Sequence, residues 1–241
     1  MSDPQDLKIT ILFDNYVFND QLTAEWGFSA LIEYGDNTIL FDAGTDGEIL
    51  LDNISKLGID SHTIDALVIS HNHADHTGGL QSLLNLGITP PVYLLKSFSS
   101  DIKDYVSAST QLVEINDPVE IIHGIYSTGP VPMNVDEEAL IIVSKQGLVI
   151  LTGCAHPEVT RMVNKTNQLI DGNIYFVMGG FHMLNYSDTQ IQSVITHFQE
   201  HGVQKVMPTH CTGFPAINSF RQAFGNNFLE GGVGQTVIIN E

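Results

Sequence analysis

Cations are scarce in this chain: Lys and Arg together number 9 of 241 residues, against 28 Asp plus Glu, for a formal net charge of −19. The imbalance comes from too few bases rather than from an excess of acids. Binding a phosphate backbone needs clustered Lys and Arg, and no stretch supplies such a cluster, so nucleic acid is not an expected partner. The same negative field repels an anionic membrane surface. Cysteine is almost missing as well; Cys154 and Cys211 are the only two, too few for a disulfide framework in a chain of this length. No apolar run approaches the ~20 residues of a membrane-spanning helix. Met1 to Lys8 is polar and acidic, with no cationic segment leading into an apolar one. The expectation is a cytoplasmic protein acting on a small molecule, with no nucleic-acid and no membrane partner. Its oligomeric state is left open.

An apolar fraction of 43% is ordinary for a chain that buries a real core. Neither an internal repeat nor a low-complexity linker is visible, which predicts a single domain over 1–241. Strand-like runs fall at Leu7–Phe13, Phe28–Tyr34, Thr38–Asp42, Ala66–Ser70, Val92–Leu95, Val119–Tyr126, Ala139–Ser144, Leu148–Thr152, Ile174–Met178, Lys205–Pro208 and Gln235–Ile239. Helical patterns fall at Gly47–Leu57, Gly79–Leu86, Pro157–Ile170, Thr189–His201 and Phe214–Phe224. The fourth is the clearest: Ile191, Val194, Ile195 and Phe198 share one face, Asp188 is a candidate cap and Gly202 a stop. Early hairpins with a turn at Gly35-Asp36-Asn37, then alternating strands and helices, predict sheets covered by outer helices. An α+β, four-layer αββα sandwich fits this order.

The densest chemistry follows the apolar run Ala66–Ser70, as His71-Asn72-His73-Ala74-Asp75-His76. In an extended chain, side chains two apart point the same way, so His71 and His73 can grip one ion as neutral imidazoles. Asp75 and His76, past the turn, can grip a second. Three imidazoles and a carboxylate crowded at a strand end have little packing value and would repel or desolvate one another without a cation. Nitrogen ligands with a carboxylate suit zinc first, one or two ions, with manganese or iron as alternatives. Further strand ends carry ligand types: Cys154 and His156 after Val149–Thr152, His182 after Gly179-Gly180, and His210 with Cys211 after Val206–Thr209. Cys211 reads as a packing neighbour. His197 and His201, four apart on a helix, read as histidines near a helix carboxyl end.

The run His-x-His-x-Asp-His, followed by Thr77-Gly78-Gly79-Leu80, resembles the signature of the metallo-β-lactamase superfamily. Thr38 to Gly44 resembles the strand and Asp-x-Gly turn that precede it there. The resemblance implies that Asp42 orients ligands, although an ordinary turn aspartate remains an alternative reading. It also implies that Cys154 sits where the family has a bridging group and that His210 is its last metal histidine. One departure stands out: many members carry a histidine between these motifs, and here the segment reads Ser127-Thr128-Gly129-Pro130. His156 is the favoured substitute, with His123 or an incomplete first site as the alternatives. Thr152 to His156, Gly179 to His182 and Thr209 to Gly213 look most like the dihydropterin ribofuranosylaminobenzene phosphate synthase-like subgroup. Asp14-Asn15 fits that subgroup too; Asn15 is a candidate substrate contact, or part of a turn.

These features predict a metal-dependent hydrolase using a metal-activated water on a small ester-type, phosphate-bearing substrate. Its expected ligands are His71, His73 and His156 for one ion and Asp75, His76 and His210 for the other, with Cys154 either a bridge between them or a buried inert thiol. Asp75 and His182 are the candidate catalytic groups, His182 also a substrate contact. The alternatives are a pterin-related synthase, which the subgroup resemblance implies, and a metal-binding sensor without turnover.

Overall fold

Where two strand-like runs are separated by only a turn they pair antiparallel, and where a helix intervenes they pair parallel, because a short turn can only reverse the chain. This rule accounts for the tight hairpins and for the parallel strands that follow helices. A computed structural model describes residues 5–240. They form two compact units, one of residues 5–116 and 232–239, the other of residues 117–231 and 240.

In the first unit, β1 (Leu7–Phe13), β2 (Ser29–Tyr34) and β3 (Asn37–Phe41) form an antiparallel set. Gly35 takes the first turn position between β2 and β3 at φ 58°, a conformation that glycine reaches without a Cβ penalty. Helices then enter the connections: α1 (Gly47–Lys56), α2 (Ala74–Thr77), α3 (Leu80–Leu84) and α4 (Ser100–Ser109). Accordingly β4 (Ala66–Ile69), β5 (Val92–Leu95) and β6 (Leu112–Ile115) continue from β3 in parallel. The strand Thr236–Ile239 closes the other edge against β1, giving seven strands in all. All of β4 is buried, as a near-continuous apolar parallel strand should be.

The second unit repeats the plan. β7 (Val119–Ile122), β8 (Ile125–Ser127), β9 (Leu140–Ser144) and β10 (Gly147–Thr152) form an antiparallel meander. Then α5 (Val159–Leu169) leads to β11 (Ile174–Gly180) and α6 (Asp188–Glu200) to β12 (Lys205–Thr209), both added in parallel, before α7 (Phe214–Phe224). Its core includes Phe181, Phe198 and Phe220, with ring centroids 5.4 to 5.7 Å apart.

Three local expectations change. The run Val119–Tyr126 is a hairpin, turned at His123-Gly124 with Gly124 at φ 88°. Helix α4 and edge strand β6 are additions: α4 buries only Val106, so it carries no apolar stripe for a periodicity to reveal. Finally, α6 is capped by Ser187 in a reciprocal capping box with Gln190, and Asp188 begins the first turn. Among the described residues no helix is long and apolar enough to cross a membrane.

Candidate functional site

Ligand-type residues stand where strands end. Asp42 follows β3, His71 follows β4 by one residue, Cys154 and His156 follow β10, His182 follows β11 and His210 follows β12. The backbone is unusual at the same places. Among the described residues, the non-glycine residues with positive φ are Asp42 (61°), Ala155 (61°), Glu158 (77°), His182 (51°) and His210 (48°). Such conformations are costly for side-chain-bearing residues and tend to gather at functional sites.

In the first unit, the parallel pairing of β3 and β4 brings their carboxyl ends together. The fully buried Asp42 carboxylate accepts the Ser70 N–H (2.7 Å) on Oδ1, and the Ser70 hydroxyl (2.8 Å) and His76 Nδ1–H (2.7 Å) on Oδ2. Asp42 thus holds both ends of the His71–His76 segment. Because a carboxylate only accepts, His76 carries its proton on Nδ1 and presents a lone pair at Nε2. Ser70 gives its only proton to Asp42, so its oxygen accepts from His71 Nδ1 at 2.9 Å. His71 therefore also presents Nε2 as a lone pair. That atom lies 3.1 Å from His73 Nδ1. Nitrogens bound to zinc at 2.0–2.1 Å stand roughly 3.3 Å apart across a tetrahedron, so this pair fits a shared ion.

A second pair of ligand atoms lies beside the first. His76 Nε2 is 3.6 Å from Asp75 Oδ2, and the His71 and His76 rings are 4.2 Å apart. The donor set fits a divalent cation: imidazoles with their second nitrogen hydrogen-bonded, next to a partly exposed carboxylate. The sole tryptophan, Trp26, joins this group by donating its Nε1–H to Asp75 Oδ2 at 2.9 Å. Nearby, Gly27 N–H points to Asn15 Oδ1 at 3.5 Å, while Asp14 closes a turn by accepting the Tyr16 N–H at 2.9 Å.

In the second unit, ligand atoms of Cys154, His182 and Cys211 lie within 4.8 Å of one another. The His156 and His182 rings are 4.1 Å apart. Cys211, expected as a packing neighbour, is therefore one of a set of reactive groups. Burial opposes its thiolate, but hydrogen bonds with Cys154 and His182, with the charges of His210 and His182, outweigh that and hold its pKa well below the ordinary thiol range. Gly180 permits the close approach: a Cβ there would meet Gly153 O at 2.4 Å and Cys211 Sγ at 2.7 Å. His123 lies elsewhere, in the exposed β7–β8 turn, 3.2 Å from Glu120.

No local pattern marks the group that shapes this loop. Glu137, fully buried, accepts the N–H groups of Cys154 (2.8 Å), Ala155 (2.7 Å) and His156 (2.8 Å). Three successive amides converging on one carboxylate fix the turn that aims both side chains. Neighbouring Glu138 is also buried and accepts the Ser127 hydroxyl, so the segment lacking a histidine is tied down by polar contacts. Ser70 and Trp26 were likewise missed, although each had a signal: Ser70 adjoins the first histidine and Trp26 is unique.

Known proteins are similar to this chain. The profile of the Metallo-beta-lactamase superfamily matches residues 25–156. The chain is 30% identical, over 92% of its length and 93% of the relative's, to the 7,8-dihydropterin-6-methyl-4-(beta-D-ribofuranosyl)-aminobenzene-5'-phosphate synthase of Methanocaldococcus jannaschii. Among solved structures it is similar to a metal-dependent hydrolase of the beta-lactamase superfamily, at 29% identity and a TM-score of 0.84, covering 98% of this chain and 100% of that one. A metallo-beta-lactamase fold protein from Bacillus subtilis shares the fold at 15% identity, with a TM-score of 0.71 over 97% of this chain and 99% of that one. The mixed α/β fold class expected from the sequence is the one these matches carry, and with it the capacity to bind a divalent metal. On its profile match, and on its identity along nearly the whole chain, this protein belongs to the metallo-beta-lactamase superfamily.

Proposed function

We propose that this protein is a metal-dependent hydrolase that directs an activated water at a small, phosphate-bearing ester-type substrate. The observation that carries the reading is the Asp42 network, which fixes the tautomers of His71 and His76 so that each presents Nε2 as a ligand atom. His71, His73 and His156 would hold one ion and Asp75, His76 and His210 a second, with Cys154 as a further candidate ligand and zinc as the first choice of metal. A divalent cation held by these groups supplies Lewis acidity, polarising the scissile group and making water a stronger acid.

The chain's own residues do the rest. Asp42 orients the His76 imidazole directly and that of His71 through Ser70. Asp75, steadied by Trp26, orients the attacking water and accepts its proton at the carboxylate. His182 is exposed, held in left-handed backbone after two glycines, and returns a proton to the leaving group from its imidazole. Asn15, beside Gly27, contributes a substrate contact. The net charge of −19 favours a small molecule over a nucleic acid.

Elemental mass spectrometry on wild type, His73→Ala and His156→Ala, with phosphodiesterase and thioesterase turnover on the same samples, tests this. The expected outcome is one or two divalent ions per chain, lost together with turnover in both variants. Wild type without transition metal would overturn the proposal. A second reading is favoured by the identity to the archaeal synthase: a synthase of pterin-related substrates on the same site. A product assay with paired substrates separates joining from hydrolysis.

A further inference from the structure

The second unit contains a pocket that the metal chemistry does not use. It has a volume of about 280 Å³ and lies along α5, against the Pro130-Val131-Pro132 segment. Arg161 and Lys165, one turn apart on α5, line it together, and although the chain has 28 acidic residues, none lines this pocket. Four of the other cations are paired with carboxylates: Lys8 with Glu33, Lys56 with Asp52, Lys103 with Glu114 and Arg221 with Glu230. Among the described residues Arg161 and Lys165 have no ion pair. Like charges one turn apart on a helix repel weakly, and an anion bound between them removes that repulsion.

The remaining lining is suited to the same task. Gln168 adds a carboxamide, and so does Asn164, whose Oδ1 is 3.1 Å from His197 Nε2. When His197 donates there, the two Nδ2 hydrogens of Asn164 remain as donors. The prolines and buried Val131 form an apolar rim. A volume of about 280 Å³ is at the lower limit for ligand pockets, enough for a head group with a short attachment and too small for a large conjugate.

We propose that this pocket is a binding site for a phosphate monoester, in which Arg161 and Lys165 together neutralise the dianion and the Pro130–Pro132 rim takes the organic group attached to it. A guanidinium matches phosphate oxygens as a fork and an ammonium adds a second point charge. Two cations balance a phosphate monoester dianion, whereas a carboxylate would leave one of them uncompensated. The site begins five residues after His156, on the helix that leaves the Cys154–His156 loop.

The chain has only two arginines, Arg161 and Arg221, so the guanidinium Nε–Hε region of a proton–nitrogen NMR spectrum holds two signals, and Arg161→Gln identifies them. Metal-loaded protein is titrated with phenyl phosphate, inorganic phosphate and acetate at constant ionic strength. The Arg161 signal is expected to shift and saturate with phenyl phosphate, more weakly with inorganic phosphate and least with acetate. Arg221, held by Glu230, should stay in place. Lys165→Gln should weaken the phenyl phosphate affinity roughly tenfold, as loss of one charge-assisted contact does. An Arg161 signal that does not move, or one that moves only in step with Arg221, overturns the site. Acetate binding as tightly as the phosphates overturns the dianion assignment, and inorganic phosphate binding tighter than phenyl phosphate overturns the role of the rim. Turnover is not part of the readout, so a negative result here leaves the hydrolase proposal standing.

Discussion

In the first unit the reactive imidazoles are anchored side chain to side chain, with the Asp42 carboxylate bonding Ser70 and His76, and Ser70 bonding His71. In the second unit a buried carboxylate grips main chain instead, as Glu137 takes three consecutive amides from Cys154 to His156. The units share a strand plan, an antiparallel meander extended by parallel strands, but divide the work of support differently. Asp42 decides which nitrogen of an imidazole carries the proton, a matter of ligand electronics. Glu137 decides the path of a loop, a matter of local folding.

Mutations can break or sharpen this contrast. The largest effect is expected from His73→Ala, which removes a proposed ligand and should lower turnover by about 10³-fold or more, with stability little changed because His73 is only half-buried. Next, Asp42→Asn and Glu137→Gln should separate. Asp42→Asn keeps the shape but removes the charge behind two imidazoles, and should weaken metal affinity by roughly 10–100-fold in a chelator competition. Glu137→Gln turns an amide group toward backbone N–H donors and should destabilise by roughly 1–3 kcal/mol, lowering Tm by about 5 °C in calorimetry. If Asp42→Asn instead caused the larger Tm loss and Glu137→Gln the larger affinity loss, the division of roles would be wrong. Trp26→Phe removes one hydrogen bond to Asp75 and should lower kcat by up to about tenfold with metal content unchanged. The smallest effect concerns His197. Burial, then the charge of His201, lowers its pKa. Its neutral form is thus favoured in the folded state, so it adds stability above the unfolded pKa of about 6.5 that is lost as pH falls toward the folded value. A small downward step in Tm below pH 6.5 should vanish in His197→Gln.

Much of the fold was legible because its signals are local. The buried stripe of α6 follows from Ile191, Val194, Ile195 and Phe198, and most strands follow from their apolar runs. The misses are equally physical. Helix α4 buries one residue and lies flat on the periodicity. A continuous run from Val119 to Tyr126 hides a turn, because a histidine and a glycine can sit in either a strand or a hairpin. The first-unit cluster was legible because four ligand-type residues fall within six positions, and the structure ties two of them, His71 and His76, to Asp42.

By itself the sequence determined the family, the crowded His71–His76 segment and the strand ends that carry Cys154, His156, His182 and His210, since each is a pattern of neighbours along the chain. Only the tertiary structure decided which nitrogens of His71 and His76 carry protons, that Cys211 stands with Cys154 and His182, and that Glu137 shapes their loop. Those depend on groups brought together across 17 to 57 residues of chain. A buried carboxylate is identified by the donors around it, and no local spacing encodes them.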